Sequence, residues 1–190
     1  GFCYYHYWFN GKRLMDRPVK EILASGQPDF PFMLCWANEN WSRNWDGKFR
    51  NILIEQHYSE EDDIEHMRYL CSKVFQDTRY IRIDGKPVFA IYRSNFFPNM
   101  KHTIDVWRKV AKEEYGIELY LIRVENEPDF GPKYLDCGFD SAMDFQPLLM
   151  GEFNAWWKNL PFRIMNHLFK GKYQWFNKHF SYASYVKYRI

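Results

Sequence analysis

Five apolar runs of strand length recur along the first 145 residues, and most of them lead directly into polar side chains. Gly1–Trp8 is the first. Pro31–Ala37 leads into Asn38-Glu39-Asn40, Pro87–Tyr92 into Arg93, and Glu118–Val124 into Glu125-Asn126-Glu127. A weaker run, Ser141–Phe145, leads into Gln146. Near-continuous apolar runs without clean alternation suit strands buried on both faces of a parallel sheet. Helical segments fall between them. Asp16 through Pro18 to Ser25 predicts a short helix closed by Gly26. Ser59 followed by Asp62 is a capping-box pattern ahead of an apolar face of Ile64, Met67, Cys71 and Val74. Ile104, Trp107, Ala111 and Tyr115 keep the 3.6 period until Gly116 stops it.

Strand, helix, strand, repeated, is the βαβ rhythm of an α/β protein. A doubly wound sheet would show a Gly-rich turn after its first strand, and none is visible. A (β/α) barrel puts its chemistry on polar residues at the C-terminal strand ends, which is the pattern here. The expected fold is therefore an incomplete (β/α)8 TIM-like barrel. A complete one needs eight units and about 250 residues, so units are expected to be missing at both ends. The chain starts at Gly1, inside a strand-like run, and a natural N-terminus is expected to have been removed. Residues 1–190 read as one partial barrel domain, with 151–190 an aromatic, basic helical excursion. That stretch holds seven Lys/Arg against one acid, Glu152.

Composition narrows the function. Aromatic residues reach 21%, more than a core of this size ordinarily uses. Such rings line sugar-binding grooves, because the C–H face of a pyranose packs on an aromatic face. A net charge of +2 gives no polyelectrolyte signal, so no nucleic-acid partner is expected. Contact of 151–190 with a membrane surface is a weak alternative to packing against the barrel, since its rings follow no regular amphipathic period. Cys3, Cys35, Cys71 and Cys137 lack redox or metal spacing and read as buried thiols in a reducing, cytoplasmic compartment. The six His are scattered, so neither a metal nor a cofactor is expected.

The densest constellation is Trp36-Ala-Asn38-Glu39-Asn40-Trp41-Ser-Arg43-Asn-Trp45-Asp46. Just beyond a strand's C-terminal end, Glu39 could act as acid, base or nucleophile, while Asn38, Asn40 and Arg43 hold hydroxyls and Trp36 and Trp41 form platforms. The plainer account packs the indoles under the loop and pairs Glu39 with Arg43. In the first strand Tyr4, His6 and Trp8 share one face and Tyr5 and Tyr7 the other. His6 and Trp8 are candidate substrate contacts at the mouth, although a His among aromatics is as readily a hydrogen-bonded core residue. Glu125 is the second acidic candidate, against a solvated acidic loop. Tyr92, Arg93 and Gln146 would join the same rim.

The stretches GFCYYHYWFNGKRLMDRP, DFPFMLCWANENWSRNWDG, ILIEQHYSEEDDIEHMRYL and RYIRIDGKPVFAIYR resemble the WbsX-like glycosyltransferase family, a relative of the endo-α-mannosidases of glycoside hydrolase family 99. That resemblance implies a TIM-barrel-like fold and work on bacterial surface polysaccharide such as O-antigen or capsule. The relatives carry their catalytic carboxylates late in the chain, in a segment resembling Asn-Glu-Trp-x-Glu-Gly, and nothing here matches it. The choice of Glu39 and Glu125 thus rests on chemistry alone, and the fragment itself could be inactive. Three functions compete: a glycosyltransferase-like enzyme, an endo-acting glycoside hydrolase, and a non-catalytic glycan-binding barrel. In each the partner is an oligo- or polysaccharide.

Overall fold

The computed structural model describes residues 1–43, 48–125, 132 and 134–145. The chain divides into two compact units, Gly1–Asp144 and Phe145–Ile190, and the described residues belong almost entirely to the first. Gln146 and the excursion expected over 151–190 lie outside them.

In chain order the elements are β1 (Phe2–Phe9), β2 (Lys12–Leu14), α1 (Arg17–Ser25), β3 (Phe32–Trp36), β4 (Trp41–Arg43), β5 (Lys48–Ile54), α2 (Glu60–Tyr69), β6 (Arg82–Ile83), β7 (Lys86–Ile91), α3 (Met100–Tyr115), β8 (Tyr120–Glu125), α4 (Tyr134–Cys137) and β9 (Ser141–Asp144). The main sheet runs β2-β1-β3-β7-β8-β9, with β6 also paired to β7. β1, β3, β7, β8 and β9 are parallel, while β2 and β6 are antiparallel additions. This is a mixed α/β unit with a mostly parallel sheet. Among the five parallel strands spatial order follows chain order, without the reversal that marks a doubly wound sheet. β4 and β5 form a separate two-stranded arm between β3 and α2.

Local chemistry explains the boundaries. α1 has Pro18 in its first turn, where a missing N–H costs nothing. It ends at Gly26, left-handed at φ 69°, whose N–H bonds Ile22 O. At α2, Ser59 Oγ accepts from the Asp62 N–H at 3.2 Å. The expected capping box is only half made, because the Asp62 carboxylate instead accepts from Trp8 Nε1 at 2.8 Å. α2 then widens into a π-turn, Leu70–Val74, closed by Phe75 N–H to Leu70 O. That extra residue shifts the helical phase, so the neighbours Leu70 and Cys71, and then Val74 and Phe75, are all fully buried. Asn99 caps α3 through Oδ1, and left-handed Gly116 closes it.

The core sits between the sheet and its helices. Leu34, Trp36, Phe89, Ile91 and Leu121 pack with Met67, Leu70 and Val74 behind α2 and with Ile104, Trp107 and Ala111 of α3. Trp36 meets Trp107 at 5.9 Å and Phe97 at 5.5 Å between ring centroids. Each such pair adds about 0.5–1.5 kcal/mol beyond area burial. Much of the aromatic excess therefore fills the interior rather than lining a groove. The four thiols are free, but only Cys35 and Cys71 are buried; Cys3 is exposed, because the N-terminal end of β1 is covered on neither face.

Candidate functional site

Alternation along β1 sends its side chains to two environments. Tyr5 and Tyr7 face a cleft of about 340 Å³ that they line with Ala37, Glu39, Asn40, Trp41, Ser42, Leu53 and Tyr92. The rings make a continuous wall. Tyr5 meets Tyr92 at 6.1 Å and Tyr7 at 6.2 Å, and Tyr7 meets Trp41 edge-on at 5.4 Å. Burial, then the neighbouring Cys35 thiol and Tyr92 phenol, push the Tyr5 hydroxyl up to about 12. Burial and then Glu39 also raise Tyr92. Both hydroxyls therefore stay protonated at neutral pH.

Glu39 is presented to this cleft by its two flanking asparagines. Asn38 is fully buried just past β3. Its Nδ2 donates to Arg93 O at 2.8 Å and to Tyr58 Oη at 3.0 Å, while its Oδ1 accepts from the Arg93 N–H at 2.8 Å. Tyr58 Oη donates back to Asn38 O at 2.8 Å. This extends the β3–β7 pairing beyond its last backbone bond, Tyr92 N–H to Trp36 O. On the other side, Asn40 Oδ1 accepts from the Gln56 N–H at 2.7 Å and closes the base of the arm, beside the Trp41–Ile54 pair. Between the two anchors, Glu39 Oε1 accepts from Arg93 Nε at 2.6 Å. Arg93 lies over the rings of Tyr92 and Phe96, at 5.0 and 5.9 Å.

Three expected sugar contacts lie elsewhere. His6, Trp8 and Trp36 project from the opposite face of the sheet and are buried against α2 and its surroundings. Trp8 stacks on His66 at 4.5 Å, and His6 Nε2 lies 2.9 Å from His66 Nε2, so one ring donates to the other. Burial, reinforced by Arg13, pushes His6 down to about 3, and burial, reinforced by His6, holds His66 well below its ordinary value. Trp36 Nε1 donates to Trp8 O. α2 covers this face, which removes all three from any open surface. Asn38 is likewise a tether of backbone rather than a hydroxyl contact, because its amide is spent on Arg93 and Tyr58.

Glu125 ends β8 beside a different partner. Its Oε1 accepts from Arg123 Nη2 at 3.2 Å, and Asp144 of β9 is its register neighbour. β3 and β8 flank β7, so their ends stand about 10 Å apart. Of the expected residues, the structure thus gathers Glu39, Asn40, Trp41 and Tyr92 in the cleft, with Arg93 behind Glu39. The Arg43 side chain, Asn126, Glu127, Trp45, Asp46 and Gln146 lie outside the described residues. Sequence reasoning missed Tyr5, Tyr7, Ala37, Ser42 and Leu53. Period-two alternation separates Tyr5 and Tyr7 from His6, but it does not say which face the helices cover.

A family model described as Glycosyltransferase WbsX matches residues 1–190. Two relatives named "Uncharacterized protein WxcX", from two strains of Xanthomonas campestris pv. campestris, are 34% identical over 146 residues, covering 77% of this chain and 21% of theirs. The chain therefore spans about a fifth of the length of these relatives. A solved structure titled "Glycoside hydrolase-like protein" aligns with 77% of this chain and 44% of its own, at 15% identity and a TM-score of 0.47.

Proposed function

Since the chain belongs to the WbsX glycosyltransferase family, we propose that it forms the sugar-binding arc of a (β/α)-barrel enzyme acting on glycosidic bonds of a bacterial surface polysaccharide. Strands that follow one another in chain order, without a reversal, support a barrel arc. The observation that carries the function is Glu39: a carboxylate with one oxygen on Arg93, set in a cleft walled by Tyr5, Tyr7, Trp41 and Tyr92.

Making and breaking a glycosidic bond both pass through an oxocarbenium-like state. An ion-paired carboxylate suits the nucleophile or the electrostatic partner of that developing positive charge. Arg93 fixes its orientation, and the tyrosine and indole rings hold the pyranose by its C–H face. Transferase and hydrolase share this geometry and differ in whether a sugar acceptor or water attacks. Glu125 is the candidate for the second carboxylate.

In the full-length protein, Glu39→Gln is expected to lower turnover of a glycan substrate about tenfold or more with sugar binding retained, because ionisation is lost and shape is kept. Unchanged turnover would remove Glu39 from the chemistry. Binding without turnover in either form would favour a non-catalytic glycan-binding barrel.

A further inference from the structure

We infer that the cleft selects uncharged pyranosyl units and discriminates against uronic acids, phosphosugars and nucleotide-linked sugars; this rests on the cleft being a sugar site at all. Among the described residues that line it, Glu39 carries the sole formal charge. The guanidinium that holds Glu39, Arg93, is not part of the lining. Its Nε is on Glu39 Oε1, its backbone N–H and carbonyl are on Asn38, and its plane lies over Tyr92 and Phe96. The cation is thus committed to holding the loop rather than offered to a ligand.

The second oxygen of Glu39 has no hydrogen bond among the described residues, and the side chain is 40% exposed. A carboxylate oxygen accepts and never donates, so it calls for a ligand hydroxyl or N–H. A ligand carboxylate or phosphate in the same cleft would meet a like charge, with no cation among the described lining residues to offset it. The remaining lining is chemically neutral. Tyr5, Tyr7 and Tyr92 supply hydroxyls beside ring faces, and Trp41 and Leu53 supply apolar surface. Ring faces recognise the C–H side of a sugar without regard to charge, so discrimination falls to Glu39.

Saturation-transfer NMR on the full chain tests this with methyl glycosides of glucose, mannose and galactose, methyl glucuronide and UDP-glucose. At least one neutral glycoside is expected to bind, with the glucuronide and the nucleotide sugar about tenfold weaker in about 50 mM salt. Raising salt to about 0.5 M should narrow that gap by screening. Glu39→Gln should bring the glucuronide to within about threefold of its neutral counterpart. A glucuronide or nucleotide sugar that binds the native chain as tightly as the neutral glycosides overturns the inference. So does a preference that ignores both salt and the substitution. If the variant does not fold, the salt series on the native chain decides alone. Failure of every glycoside to bind would instead bring down the sugar-site reading itself, which keeps the two failures distinct.

Discussion

His6 and Trp8 leave β1 toward the helices, while Tyr5 and Tyr7, their immediate neighbours, leave it toward the cleft. All four side chains combine an aromatic body with a polar atom, yet they are used in opposite ways. On the helix side the two β1 side chains find protein partners: His66 for His6 and Asp62 for Trp8. Thr103 Oγ1 likewise donates to Asp63, at 2.8 Å. On the cleft side the rings stay partly exposed, with Tyr5 at 45%. A buried polar group costs stability unless its bond is made, so the first face is a structural network. The second keeps its hydrogen-bonding capacity for something that arrives.

The contrast can be broken by truncating one ring on each face. Trp36→Ala, on the helix side, should cost about 3–5 kcal/mol in urea unfolding, the range for a buried Trp. Tyr92→Ala, on the cleft side, should cost under about 1 kcal/mol yet weaken sugar binding. Equal costs would erase the distinction. Next in size is Asn38→Ala, which strands the Arg93 N–H and carbonyl and should cost about 2–3 kcal/mol. It should also disturb Glu39, so binding falls together with stability.

A smaller effect is the pH dependence of the helix-side network. The buried imidazoles have folded values below the unfolded one, so their contribution is complete above pH 6.5 and is lost as pH falls. Asp63 works the other way. Burial raises it to about 6 despite Thr103, so its contribution is present at low pH and is lost as pH rises from about 4 through 6. Urea midpoints should therefore fall more steeply between pH 7 and pH 4.5 in Asp63→Asn than in the native chain. A shallower fall would refute the assignment. Smallest of all, Tyr5→Phe should change stability by less than about 0.5 kcal/mol and weaken a bound sugar about threefold, the worth of one hydroxyl.

The framework was legible because apolar runs and helix stops are local signals: five of the strands and three of the helices lie where patterning placed them. Two hairpins were equally open to reading. Asn10-Gly11 and Asp84-Gly85 both adopt the paired left-handed conformations of a tight β-turn. Other features were hidden for physical reasons. β5 mixes Lys48, Arg50 and Asn51 with apolar residues, and its partner is the three-residue β4, which is too short to announce itself. The sidedness of β1 depends on which face α2 covers, a long-range fact that alternation alone leaves undetermined. Glu39 was visible as a carboxylate after a strand, but its described partner, Arg93, is 54 residues away, and no local spacing announces it.

Both asparagine tethers beside Glu39 reach main-chain atoms at positions 93 and 56 for their bonds to those strand ends. Mutation there leaves these moorings in place, provided proline is avoided, whereas positions 38 and 40 accept no substitute that lacks a side-chain amide oxygen or its equivalent. The acid between them therefore keeps its station through two bonds that ask nothing of the side chains at the receiving positions. Sequence drift at 93 and 56 would then leave the carboxylate aimed as it is.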